Sequence, residues 1–258
     1  MGASIGSRTV TRWKAAAIHL VVSALVAALA LGAIFFLWYP GALFQAAGGR
    51  QLFLLISGVD IAIGPLITLI IFVQGKKGLK FDLATIAVLQ LAALSYGAYV
   101  LFESRPAWIV FVVDRFELVR ANQILDAERA KAKPPFNELS LSGPRLAGAR
   151  QPSDPNEQLR IAMGAAATGQ DLQTYPQYFV AYDDVRRAVM SHAKPLARLR
   201  ELNPGAGAQI DRLPSRLGRK EEGLGFLPLR AGRRDLTVIV DRSSGEFLET
   251  LTLRPWTY

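Results

Sequence analysis

From Ala15 to Tyr39 the chain reads AAAIHLVVSALVAALALGAIFFLWY, a run with no formal charge. At about 1.5 Å per residue, a helix of this length crosses a hydrocarbon core of about 30 Å. Two further runs follow, Leu52 to Val73 and Phe81 to Phe102, and none of that kind occurs after residue 102. The expected fold is therefore a membrane protein, with three transmembrane helices in residues 1–102 and an α+β domain in residues 103–258. Arg8, Arg12 and Lys14 resemble the n-region of a signal peptide, and Ala46-Ala47-Gly48 could mimic a cleavage site. The apolar run is nevertheless far longer than an h-region of about 7–15 residues, so the first helix is expected to stay uncleaved.

Basic residues orient the spans. Arg8, Arg12 and Lys14 precede the first, and the loop between the second and third carries Lys76, Lys77 and Lys80 without an acid. Positive residues resist translocation, so both segments are expected in the cytoplasm, in reach of lipid headgroups. Three crossings then place the C-terminal domain outside, in the periplasm of a bacterium with two membranes. Trp38, Tyr39 and Trp108 fit an outer interfacial belt and Trp13 an inner one.

The chain has no cysteine and a formal net charge of +9. An exported domain without cysteine has neither disulfides nor thiol chemistry, so it must rest on its own core. From Glu103 onward the count is 23 basic against 19 acidic residues, mostly interspersed. That balance, together with export, argues against a nucleic-acid partner. Two local clusters, Arg216 to Lys220 and Arg230 to Arg234, read as solvated loops or as contacts to anionic lipid or wall polymer.

The second run contains Asp60, about nine residues from its outer end. A carboxylate at that depth costs a few kcal/mol unless paired, protonated or hydrated. Ser95 and Tyr96 on the third run fall at about the same depth and can donate to it. Gly64-Pro65 follows one turn later, and the proline should kink the helix and free carbonyls. Asp60, Gly64, Pro65 and Ser95 together form a candidate polar notch for a partner's transmembrane helix. Ala24, Ala28 and Gly32 repeat small residues at a four-residue spacing that lets a helix approach. His19 reads as an interfacial or inter-helix hydrogen-bonding residue rather than a metal ligand, and Gln90 as a bond within the bundle. Asp82 can cap the third helix or pair with a nearby lysine.

Beyond Pro106, Trp108 to Val113 and Phe116 to Val119 read as a bent strand or a tight hairpin. Ala121 to Lys133 has helical composition, and Pro135 to Pro152 reads as irregular. Asp154-Pro155 opens a helix that Gly169 stops. Two short helices are expected at Tyr182 to His192 and Pro195 to Leu202, and strands at Gly225–Leu229, Leu236–Val240 and Phe247–Leu253. Thr237, Ile239 and Asp241 alternate with Leu236, Val238 and Val240, yet both faces are largely apolar, so at least part of the sheet should be covered on both sides.

No nucleophile elbow, phosphate loop or zinc-protease pattern occurs. His192 is the only histidine after residue 102, so no catalytic group, metal or cofactor is expected. Asp183-Asp184 reads as a helix cap, and Tyr175, Tyr178, Phe179 and Tyr182 as core rather than a sugar-stacking face.

Three stretches carry a family resemblance: Arg12 to His19, Gly58 to Pro65 with Leu66 to Leu69, and Lys76 to Asp82 with Leu89-Gln90-Leu91. They resemble the TfpX/TfpZ family of type IV pilin accessory proteins, as does Val113 to Phe116 with Arg120-Ala-Asn122. Asp60, Pro65, Lys76, Lys77, Lys80 and Asp82 fall on matching positions. The resemblance implies a multi-pass inner-membrane protein that assists type IV pilus biogenesis. The expected function is a non-enzymatic, chaperone-like factor that binds the major pilin: its helix at the notch, and its head at a strand edge or aromatic surface of the domain. The alternative is a membrane-anchored cell-wall-binding or pilin-modifying enzyme, which would need two acids facing one cleft.

Overall fold

The computed structural model describes residues 11–46, 58–232 and 234–257. The chain divides into two compact units, Met1–Ile34 with Arg50–Leu101, and Phe35–Gly49 with Phe102–Tyr258.

In the first unit, α1 (Arg12–Leu37) contributes up to Ile34, followed by a π-helical turn Val59–Ile63 that runs into α2 (Gly64–Ile71), and by α3 (Leu79–Glu103), which contributes up to Leu101. Among the described residues, α1 and α3 are long and apolar enough to cross a membrane, while the apolar helix Ile61–Ile71 is shorter. Residues 52–57 of the expected second span lie outside the described residues. The expected proline kink takes a particular form. Pro65 has no N–H for the carbonyl four residues back, and its ring crowds that carbonyl. The preceding turn widens to i→i+5 bonding, and the backbone stays helical through Gly58, Ile63 and Gly64.

The packing of α2 is inverted relative to a helix folded in water. Its buried residues are Gly64, Pro65 and Thr68, whereas Leu66, Ile67 and Ile70 stand exposed. Along α1 and α3 the large apolar side chains Leu25, Leu29, Val88 and Leu89 are likewise exposed. A helix in water buries its apolar stripe. Small and polar residues at the contact, with aliphatic residues outside, is the pattern of helices packed in lipid.

The second unit is built on a mixed eight-stranded sheet. Its strands are β1 (Pro106–Val112), β2 (Arg115–Arg120), β3 (Arg145–Ala149), β4 (Phe179–Val180), β5 (Lys194–Pro195), β6 (Leu224–Arg230), β7 (Leu236–Asp241) and β8 (Phe247–Leu251). The order is β4-β3-β1-β2-β6-β7-β8, with β5 paired to the start of β6. β3 runs parallel to β1 and β6 parallel to β2, and the remaining pairings are antiparallel. The longest helices between the strands are α4 (Pro155–Thr168), α5 (Arg186–His192) and α6 (Leu196–Leu202), with shorter ones at Asp126–Arg129, Gly207–Asp211 and Leu213–Leu217.

Alternation along the strands builds a core on each face. Ile109 and Phe111 of β1 join Phe116, Leu118, Leu227, Leu229 and Val238 beneath Val185 and Val189. Trp108, Val110 and Val112 point the other way, among Val119, Ile161, Tyr175 and Phe179. A third cluster joins Phe226 and Ile239 to Leu196, Leu199, Ile210 and Leu213. β1 and β7 are buried at every position, as expected for a sheet covered on both sides.

Several expectations need correction. Trp108 is 1% exposed and packs against Phe136 and Phe179, so it is a core residue and not part of an interfacial belt. Residues 135–152 contain β3, whose short Arg-Leu-Ala-Gly-Ala sequence carries almost no strand signal; Gly148 lets it approach Val185, where a Cβ would stand 2.4 Å from Cγ1. Ala121 to Lys133 forms only the turns Ala121–Gln123 and Asp126–Arg129. The segment after α1 also belongs to this unit: Leu43 and Ala46 of the short helix Leu43–Ala46 are 3% and 0% exposed and sit in the sheet core.

Candidate functional site

In the first unit a polar cluster forms around His19. Its Nδ1 lies 2.6 Å from Thr68 Oγ1 and its Nε2 2.8 Å from Gln90 Oε1. An amide oxygen only accepts, so Nε2 carries the proton, and in the neutral ring the Thr68 hydroxyl donates to Nδ1. Gly64 makes room for this arrangement, since a Cβ there would stand 2.2 Å from Gln90 Nε2. One residue from each of three helices is thereby joined by hydrogen bonds. His19 and Gln90 also floor an apolar groove of about 280 Å³ walled by Val22, Val26, Leu91 and Leu94.

The expected site residues distribute as follows. The Asp60 backbone lies in the π-turn, and its side chain is outside the described residues. Gly64 and Pro65 are buried at the inner face of α2. Ser95 and Tyr96 are exposed on α3. The structure thus brings Gly64 to Gln90, and through Gln90 to His19 and Thr68. Lys77 and Lys80 are exposed, while Lys76 Nζ pairs with Asp82 at 2.7 Å. α3 begins at Leu79, so Asp82 lies inside its first turn and is not its N-cap. Thr68 was the member that sequence reading passed over, because a lone threonine in an apolar run carries no signal until its helix face is known.

In the second unit the end of α1 enters the sheet domain. Tyr39 is 2% exposed and its hydroxyl lies 3.4 Å from Ser104 Oγ. Trp38 packs on Phe102. Gly41, at φ +61, turns the chain toward the buried Leu43, a conformation that glycine adopts without strain. Arg105 is buried and, among the described residues, forms no salt bridge: Nε donates to Ser140 O at 2.8 Å, Nη1 to Phe102 O at 2.7 Å, and the guanidinium covers the Phe102 ring. These bonds bring the loop around Ser140 to the start of β1. An open groove of about 890 Å³ lies there between Phe36, Leu37 and Pro40 and residues 137–145.

The basic clusters are largely answered by acids. Arg216 pairs with Glu249, and Arg219 with Asp241 and Glu246. Arg230 pairs with Glu117. Asp183 engages Arg186 rather than capping its helix, whose N-cap is Ala181. The aromatic set is divided between faces, with Tyr175 and Phe179 in one core and Tyr182 against the other. Tyr182 donates to Gly245 O at 2.7 Å, and burial raises its pKa. His192 is exposed and bonded to Ala188 O. Among the described residues, no three His, Cys, Asp or Glu side chains gather as for a metal.

One polar cleft stands apart from these structural pairs. Glu117, Gln123, Gln173, Thr174, Arg230 and Asp235 contribute to a recess of about 320 Å³. The Glu117 side chain is 9% exposed. Its Oε1 receives Arg115 Nε at 2.7 Å and Arg230 Nη1 at 3.5 Å. Burial raises its pKa, against the opposing hydrogen bond from Arg115.

Comparison with known proteins supplies the family. A family model described as fimbrial assembly protein FimB matches residues 7–47, the stretch that includes α1 and the Leu43–Ala46 turn. A fimbrial assembly protein of serogroup I from Dichelobacter nodosus is 33% identical over 89% of this chain and 91% of its own. The serogroup E1 protein of that organism is 32% identical over the same shares. The protein of serogroups C1 and C2 is 39% identical over 46% of this chain and 92% of its own. No solved structure matches. With 33% identity over 89% of this chain and 91% of that relative, this protein belongs to the fimbrial assembly protein family.

Proposed function

We propose that the protein is a non-enzymatic accessory factor of type IV pilus assembly, of the TfpX/TfpZ kind. It holds the major pilin in the bacterial inner membrane before or between assembly events, as a chaperone-like partner. The reading has three spans, a cytoplasmic N-terminus and a periplasmic sheet domain. The lysine loop Lys76 to Lys80 lies against cytoplasmic headgroups, and the boundary between membrane and exported domains is near residue 102.

The observation that carries this reading is the inverted packing of the first unit. Polar and small residues, His19, Thr68, Gln90 and Gly64, meet at the helix contacts, while Leu66, Ile70, Val88 and Leu89 remain exposed. Exposed aliphatic faces are stable in lipid and can receive another transmembrane helix. In this proposal the pilin helix docks on the side marked by Asp60 and the exposed Ser95, Leu66 and Ile70, with Gly64 and Pro65 shaping α2 from its buried face, and family membership supports the process.

The test is site-specific photo-crosslinking in native membranes from Leu66, Ile70, Ser95 and Tyr96, probed for the major pilin. A pilin adduct from these positions, and none from a lysine-loop control, is the expected result. Its absence from all four positions, with pilin present, would sink direct binding. Deleting residues 103–258 is a poor test, because Leu43 and Ala46 would lose the core that covers them.

The second reading, a wall-binding or pilin-modifying protein, is favoured by one observation: Glu117 and Asp235 line the same cleft.

A further inference from the structure

The cleft beside Glu117 holds polar groups that the fold does not use. Glu117 Oε1 takes both arginines, and Oε2 has no hydrogen-bond partner among the described residues. The Gln173 amide lines the cleft and makes no hydrogen bond among the described residues, so it offers both a donor and an acceptor. Arg230 uses one nitrogen on Glu117 and is otherwise half-exposed. The Glu117 side chain is 9% exposed.

The balance of these groups selects the ligand. Glu117 is already neutralised by Arg115 and Arg230. An anion would meet the carboxylates of Glu117 and Asp235, and a cation would meet the Arg230 guanidinium. An apolar ligand would strip water from the unused atoms without replacing its hydrogen bonds. Hydroxyl groups both donate and accept, so adjacent hydroxyls on one ring can serve Oε2, the amide and the guanidinium together. A cleft of about 320 Å³ sits at the small end of ligand sites, with room for one small molecule.

We propose that this cleft binds a neutral saccharide ring, with Glu117, Gln173 and Arg230 as its hydrogen-bonding groups. The ring is either a free sugar or a unit of a longer glycan.

The test uses the full chain in lipid nanodiscs, since sugar-headed detergents would fill the cleft. Saturation-transfer NMR is recorded with glucose, N-acetylglucosamine and chitotetraose, and with glycine and glucuronate as charged controls. Saturable binding of a neutral sugar, weakened about fivefold or more by Gln173→Ala, is the expected result. Glu117→Gln should weaken it as well; if that variant does not fold, Gln173→Ala decides alone. Tighter binding of chitotetraose than of the single rings identifies a glycan, and equal binding a free sugar. The proposal is overturned if no neutral sugar binds saturably, if Gln173→Ala binds like the parent, or if a charged control binds more tightly.

Discussion

The backbone N–H of Gly143 donates to the carbonyl of Leu37 at 2.6 Å. Leu37 is the last residue of α1, and the last carbonyls of a helix have no partner within it. A loop of the sheet domain supplies one, and Pro40 packs 3.5 Å from the position a Gly143 Cβ would take. Beyond this link the chain turns at Gly41 and places Leu43 and Ala46 in the sheet core. The stretch 40–46 is therefore structural.

Leu43→Ala should destabilise the sheet domain by about 2–5 kcal/mol, the range for removing a buried leucine side chain. Limited proteolysis of the full chain in membranes reads this as faster cleavage after residue 102. Cleavage at the parental rate would show that the segment rests on the core without supporting it.

Gly64→Ala should act through Gln90. The added methyl displaces the amide and breaks its bond to His19, at a loss of about 1 kcal/mol. Gly58→Ala meets nothing within 4 Å and serves as the control. Unfolding in bicelles should show Gly64→Ala below the parent and Gly58→Ala at or above it.

Val113 occupies φ +58 at the tip of the β1–β2 hairpin and is 68% exposed. A β-branched residue is strained there and packs against little. Val113→Gly should stabilise the domain by about 1 kcal/mol, the relief of strain less the entropy of glycine. A lower denaturation midpoint for the variant would refute this account of the turn.

Asp241 turns the β7–β8 hairpin, accepting Ser243 N at 2.8 Å and Ser244 N at 3.2 Å, with Arg219 Nε at 3.2 Å. Hydrogen bonds from Ser243 hold its pKa below the ordinary 3.8. A depressed folded pKa contributes stability that is present above 3.8 and is lost as pH falls through the folded value. Asp241→Asn should lower stability at pH 7, with a difference from the parent that shrinks below pH 3.8. Glu117 acts with the opposite sign: its pKa is raised by burial, so its ionised form disfavours folding, and that penalty fades as pH falls through the folded value. A difference between parent and Asp241→Asn that did not vary with pH would remove the ionised carboxylate from the account.

Elements with strong local signals were legible in the chain. Asp154 caps α4 through the Asn156 N–H at 2.9 Å, and Gly169 ends it at φ +75, as the dipeptide Asp-Pro and the later glycine indicated. The strands β6, β7 and β8 fall close to their expected positions because aliphatic runs between turn residues have few other uses. β3 was not legible, since Arg145 to Ala149 becomes a strand through its parallel pairing with β1 and its short antiparallel pairing with β4. Parallel pairing is a long-range contact and leaves no local pattern. Of the candidate notch, Gly64 and Pro65 were legible as a backbone irregularity, whereas the approach of Gly64 to Gln90 depends on how two helices are rotated.

The sequence by itself determined the long apolar helices, the α+β character of the domain and the hairpin at its end, because hydropathy, capping and turn preferences act over a few residues. Only the tertiary structure decided that Thr68 and Gln90 meet His19, that Leu43 fills the sheet core, and that Glu117, Gln173 and Arg230 share a cleft. The physical reason is range. A hydrogen bond between residues 49 or 71 positions apart is set by packing of whole elements, and no residue near either end of it in the chain records that it will form.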